Sequence, residues 1–173
     1  MAEEALINKV ANSSLVSIDM DEYMAEIKAI FFDLKPFLFQ EMILREKDFR
    51  AAMKEHDWGQ YQDIAVVVGC SVDAIIPTWA YMLVTSQLVG TAPQVIFGSE
   101  SELEKVKIDL LIKRLGDTDF NGQKVVIKGC GDLVSRDYAF VEITKLLKPQ
   151  VSSLMYGEPC STVPVFKKPR VRK

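Results

Sequence analysis

With 173 residues, 49% apolar and 26% charged, the chain is long enough to bury one core and too balanced to be disordered over most of its length. A net charge of −3 excludes the general attraction on which nucleic-acid binding depends, and apolar runs such as Ile64–Val68 and Met82–Val84 are far too short to span a membrane. The odd count of three cysteines excludes a disulfide framework, and Met1-Ala-Glu-Glu-Ala-Leu is acidic where a secretory signal is basic. A cytoplasmic protein is expected, its cysteines serving as free thiols, metal ligands or redox groups.

Residues 1–60 are expected to form an N-terminal extension of edge strands plus a helix. Ala2–Ala11 has the pattern of a short helix, and Leu15–Ile18 and Ala29–Leu34 are apolar runs of strand length. Pro36 breaks the chain after the second run, and Asp48–His56 reads as a helix with Phe49, Ala52 and Met53 on one face.

From residue 61 the chain resembles itself at a spacing of 59. Tyr61 and Val66-Val67-Val68 fall on Phe120 and Val125-Val126-Ile127. Trp79-Ala80-Tyr81 falls on Tyr138-Ala139-Phe140, and Thr85, Leu88 and Phe97-Gly98 fall on Thr144, Leu147 and Tyr156-Gly157. A shift of one residue brings Gly69-Cys70 onto Gly129-Cys130. Each copy, about 61–99 and 120–166, reads as strand, helix, strand: Ile64–Val68 and Lys124–Lys128 as buried strands, then helical spacing at Ala80, Leu83, Val84, Leu88 and at Ala139, Ile143, Leu146, Leu147. Pro77 suits a first helical turn, Ser135 an N-cap and Pro149 a stop. Second strands are expected at Gln94–Phe97 and Val151–Tyr156, with Ser101–Leu115 a helix between the copies that Gly116 ends. Crossovers of this length imply parallel, right-handed pairing. The fold class is therefore α/β: a mostly parallel sheet with helices on its faces, built from two related β-α-β units. Residues 1–166 are expected to form one domain, and the basic run 167–173 a disordered tail.

In a parallel sheet the carboxyl ends of the strands share one edge, where ligand sites form. Cys70 and Cys130 each come two residues after a repeat strand, and Cys160 follows Val151–Tyr156 through Gly157-Glu158-Pro159, so all three thiols are expected on one edge of one sheet. The surrounding turns carry Gly69, Gly129 and Gly131, which let backbone approach closely and allow N–H groups to bond thiolate sulfur. Three thiolates plus one further ligand suit zinc or an iron–sulfur cluster. The fourth ligand is either His56, the only histidine, with Asp57 beside it to orient the ring, or a carboxylate such as Asp132, Glu158 or Asp73. A simple chain trace puts His56 at the opposite sheet edge, which favours the carboxylates.

The competing reading takes the cysteines as small core residues and His56 as a helix-end residue satisfied by Asp57 or water. No CxxC pair is present, and there is no dinucleotide fingerprint, phosphate loop, GxSxG elbow or HExxH helix. Trp79, Tyr81, Tyr138 and Phe140, at the helix starts, either line a cleft beside the cysteines or pack in the core.

The stretches His56-Asp57-Trp58, Tyr61-Gln62-Asp63, Cys70 to Met82, Ile127-Lys128-Gly129-Cys130 and Met155 to Pro164 resemble the signature stretches of a bacterial family known as domain of unknown function 2480. The resemblance covers the chain from about Asn8 to Lys168 and carries over His56, Cys70, Cys130 and Cys160. It implies a gene neighbourhood shared with iron–sulfur assembly machinery of the sulfur-mobilisation type, and so iron–sulfur assembly proteins as partners. The expected function is that of a metal- or iron–sulfur-binding accessory protein. The alternatives are a thiol-dependent enzyme with one activated cysteine, Cys160 or Cys130, and a non-catalytic binding module whose cysteines only pack.

Overall fold

The computed structural model describes residues 15–129, 131 and 133–169. In chain order the elements are β1 (Leu15–Asp19), α1 (Met20–Ala25), β2 (Ala29–Asp33), β3 (Leu38–Phe39), β4 (Ile43–Leu44), α2 (Glu46–Glu55), β5 (Ala65–Gly69), α3 (Thr78–Leu88), β6 (Val95–Phe97), α4 (Leu103–Gly116), β7 (Lys124–Lys128), α5 (Arg136–Leu147), β8 (Ser153–Glu158) and β9 (Ser161–Lys167). The helix expected at Ala2–Ala11 and the tail from Arg170 onward lie outside the described residues. Among the described residues no helix is long and apolar enough to cross a membrane.

The α/β class and both β-α-β units are present. β5, α3 and β6 form one, with β5 and β6 parallel, and β7, α5 and β8 form the other, with β7 and β8 parallel. The expectation of one sheet is corrected: β2-β5-β6 make a three-stranded sheet and β1-β7-β8-β9 a four-stranded one. The physical reason is that each repeat strand takes its own N-terminal neighbour. β1 pairs in parallel with β7, Ile18 opposite Ile127, and β2 pairs in parallel with β5, Phe32 opposite Val68. The chain divides into two compact units: Met1–Glu26 with Ile108–Lys173 (the outer unit), and Ile27–Lys107 (the inserted unit).

The duplication extends to the cores. In each sheet the repeat strand is an inner one, flanked on both sides, and it buries its β-branched run: all of β5, and Val125-Val126-Ile127 of β7. α3 buries Ala80, Val84 and Leu88, and α5 buries Ala139, Ile143 and Leu147, each 59 residues later. Each fully buried aliphatic side chain of this size contributes about 2 kcal/mol before its ordering cost. In the inserted unit, α2 adds Phe49 and Met53 to the same core, as its spacing predicts. The strand ends diverge. After β8 the chain turns at Pro159-Cys160 and returns as β9, an antiparallel strand absent from the expectation.

Glycine is required where the repeat strands end. At Gly69 a Cβ would run into the carbonyl oxygen of Gly98 and lie 2.8 Å from Phe31 Cε2. Gly129 has φ +112° and sits against Met20, where a Cβ would meet Met20 Cβ at 3.0 Å. At Gly116 the nearest atom to an added Cβ is Leu146 Cδ1 at 3.8 Å, an ordinary contact. Gly69→Ala is therefore expected to lower the unfolding free energy by about 2 kcal/mol or more. Gly116→Ala leaves it unchanged or raises it by up to about 1 kcal/mol. Urea titration of the two variants checks the contrast, and equal midpoints would contradict the close packing at Gly69.

Candidate functional site

The carboxyl edge of the three-stranded sheet is organised by Asp33, the last residue of β2. Its Oδ1 accepts hydrogen bonds from the amides of Lys35 (2.9 Å) and Ser71 (3.0 Å), and its Oδ2 accepts from the Ser71 hydroxyl (2.5 Å). One carboxylate thus holds the start of the turn after β2 and the start of the loop after β5. Burial alone would raise the Asp33 pKa, but the Ser71 hydroxyl and the Lys35 and Ser71 amides outweigh it and hold the group below the ordinary aspartate value.

Between these fixed points lies Cys70, half-buried and packed on the core of the inserted unit. It lines a cavity of about 270 Å³ with Asp73, Tyr81, Phe97, Ser99 and Glu102. The rings of Tyr81 and Phe97 meet edge-on, 5.4 Å apart at 86°. Burial, and then an electrostatic effect of neighbouring Cys70, push the Tyr81 phenol above its usual pKa. Glu102 closes a capping box with Ser99: its Oε2 accepts from the Ser99 amide and from the Ser99 hydroxyl, each at 2.9 Å. Those bonds hold the Glu102 carboxyl below its usual pKa, the Ser99 amide contributing most. The Gly98 amide is given to the Val68 carbonyl at 3.2 Å. The backbone donors of Ser71, Gly98 and Ser99 are therefore already used, and no lysine or arginine lines the cavity.

The outer unit repeats this plan with different chemistry. Asp19 ends β1 and its Oδ1 caps α1 through the Asp21 (3.1 Å) and Glu22 (3.5 Å) amides, while its Oδ2 pairs with Lys128 Nζ at 2.8 Å. The Lys128 ammonium is the main cause of the lowered Asp19 pKa. Asp21 Oδ1 accepts from the Gly131 amide at 3.1 Å. Phe140 and Tyr156 meet edge-on at 5.2 Å and 82°, the same pair as Tyr81 and Phe97 with the two ring types exchanged. They line a slightly larger cleft, about 290 Å³, whose polar groups include Arg136, Asp137 and Thr144 and which has no thiol among the described residues. The smaller Cys70 cavity is the better candidate, because a thiol, a phenol and two carboxylates converge there at a sheet's carboxyl edge.

Of the residues expected to share a site, Cys70 and His56 belong to the inserted unit and Cys160 to the outer one. Cys70 lies where expected, at the end of β5. Cys160 is exposed in the β8–β9 turn of the other sheet, so a common sheet edge does not unite it with Cys70. Cys130 and Asp132 lie outside the described residues. Asp73 lines the Cys70 cavity, and Glu158 ends β8. His56 follows α2 in an aromatic group: its ring stacks on Tyr61 (5.7 Å, 15°), lies 4.6 Å from Trp58 and meets Phe32 edge-on at 5.4 Å. Its Nε2 is 2.8 Å from the Tyr61 hydroxyl and 3.3 Å from Gln60 Nε2. Tyr61, not Asp57, is thus the ring's partner, while Asp57 Oδ1 accepts from the Gly59 amide. Among the described residues there is no group of three or more His, Cys, Asp or Glu side chains placed to hold a metal. Sequence reasoning missed Asp33, Ser71 and Glu102. Only Glu102 had a local signal, the Ser99-x-x-Glu102 capping pattern.

Residues 4–168 match the model of DUF2480, described as a protein of unknown function. No curated protein and no solved structure matches the chain.

Because the Asp33 pKa is depressed on folding, its contribution to stability is fully present above its unfolded value, about pH 4, and is lost as pH falls through its lower folded value. The stability gap between the parent and Asp33→Asn is expected to be largest at neutral pH and to shrink below about pH 4. Urea unfolding of both proteins across that range checks it, and a gap that does not change with pH would contradict the assignment.

Proposed function

The chain belongs to that family, and we propose that it is a binding module whose ligand site is the carboxyl edge of the three-stranded sheet, with Cys70 as its thiol contact. One observation carries this reading: Cys70 is half-buried in a cavity that also holds the Tyr81–Phe97 ring pair and the Asp73 and Glu102 carboxylates. An aromatic wall beside carboxylates suits a small amine or a neutral molecule with an aromatic or aliphatic face. The thiol adds a soft, polarisable contact. This is a binding role for the cysteine that sequence reasoning did not single out as the reactive one.

A second reading keeps the cysteines as ligands of zinc or an iron–sulfur cluster, in a protein that serves iron–sulfur assembly. Its support is the parallel pairing of β7 with β8: in sequence Cys130 comes two residues after β7, and Cys160 two residues after β8. His56 is the weakest member of that set, since its Nε2 is already engaged by Tyr61. Metal analysis and absorption spectra of anaerobically purified protein decide it: stoichiometric zinc or iron lost in Cys130→Ser and Cys160→Ser supports it, and metal-free protein with three titrating thiols refutes it.

For the first reading, the test is the competition between an aromatic and a small charged thiol reagent. Cys70 is expected to favour N-phenylmaleimide over iodoacetate more strongly than exposed Cys160 does. Phe97→Ala is expected to reduce the Cys70 rate with N-phenylmaleimide by about two- to tenfold, the size of one aromatic contact, without changing Cys160. Peptide mapping by mass spectrometry reads both sites in one sample. Identical reagent preference at the two cysteines would refute an aromatic-lined site at Cys70.

A further inference from the structure

The two units differ at the outer edge of their last parallel strand. In the outer unit β8 is covered by β9, and Tyr156 is 37% exposed. In the inserted unit β6 ends its sheet, and Phe97, the residue equivalent to Tyr156, is 76% exposed. β6 bonds to β5 through the Gln94 carbonyl (2.9 Å from the Val66 amide) and the Gly98 amide (3.2 Å from the Val68 carbonyl). Strand alternation then directs the backbone N–H and C=O groups of Val95 and Phe97 away from β5. Beyond them the edge closes at equal distance on either side of Ile96: Pro93 has no N–H, and the Ser99 amide is given to Glu102.

Natural edges are usually guarded by charge or proline. β9 carries Pro164 in its middle and Lys167 at its end, whereas β6 itself has neither a charge nor a proline, Pro93 lying before it. We propose that β6 pairs with the β6 of a second copy of this chain, antiparallel about a two-fold axis through Ile96. The occupant is argued from symmetry. Available groups centred on Ile96 are self-complementary, as a two-fold contact requires. Val95 of one copy faces Phe97 of the other, exchanging both N–H···O=C bonds, and the same pair recurs across the axis. Each is a β-branched residue against an aromatic one, a favourable cross-strand pair. The added strand supplies for Phe97 the cover that β9 supplies for Tyr156.

Sedimentation velocity of the full chain across concentration tests this. The parent is expected to dimerise with concentration. Phe97→Pro removes one outward donor and leaves the bonds to β5 intact, and it is expected to weaken the dimer about tenfold or more with an unchanged circular dichroism spectrum. Hydrogen exchange on the parent gives a readout that needs no variant: the Val95 and Phe97 amides gain protection as concentration rises. A parent that stays monomeric up to about millimolar concentration, a dimer unaffected by Phe97→Pro, or exchange at these amides that ignores concentration would each overturn the proposal.

Discussion

Parallel pairing of β5 with β6 brings the end of β5 so close to the Gly98 carbonyl that position 69 has no room for a side chain. That approach controls the loop beyond the strand. The chain leaves β5 at half-buried Cys70, and Ser71 reaches the Asp33 carboxylate through both its amide and its hydroxyl. The loop is thereby fixed at its first residues, and the cavity beside Cys70 is left between it and the capped turn at Ser99–Glu102. The chemistry of the edge comes from its hydrogen bonding. The Ser71, Gly98 and Ser99 amides are spent internally, and the Asp73 and Glu102 carboxylates stand on the cavity wall.

The same plan exists twice, and the comparison separates scaffold from function. Many buried positions agree copy to copy, among them Val66, Val67 and Val68 against Val125, Val126 and Ile127, and Ala80, Val84 and Leu88 against Ala139, Ile143 and Leu147. So do the strand-end aspartates Asp33 and Asp19 and the edge-on aromatic pairs. The copies differ at the rim: a serine partner for Asp33 and a lysine for Asp19, an open last strand in one sheet and a β9-covered one in the other. Core packing constrains a duplicated half to keep its apolar pattern, while rim residues are free to take on separate tasks.

Much of the scaffold was legible because it is periodic. Val66-Val67-Val68 and Val125-Val126-Ile127 are β-branched runs between turn residues, and the helices after them repeat at fixed spacing. Pairing partners were not legible. Leu15–Ile18 and Ala29–Leu34 look alike as strands, and nothing local tells that one joins β7 and the other β5, which is why one sheet was expected in place of two. β9 escaped because Pro164 argues against a strand interior and is tolerated only at an edge. α1 has six residues, too few for a period. At the site, Cys70 was legible from its place after a strand, but Asp33 and Ser71 are 38 residues apart and meet only through β2–β5 pairing. The swap of Tyr81 and Phe97 for Phe140 and Tyr156 was already visible in the self-alignment. Its meaning needed the ring geometry.

The central claim is that ligand recognition belongs to the Cys70 edge. Amide correlation spectra of the isotopically labelled chain, titrated with a small aromatic amine such as benzylamine, test it most directly. Shifts confined to residues 70–74, Tyr81 and residues 97–102 are the predicted result. Shifts centred instead on the Arg136–Thr144 cleft or the Cys160 turn, or no localised shifts at all, would contradict it.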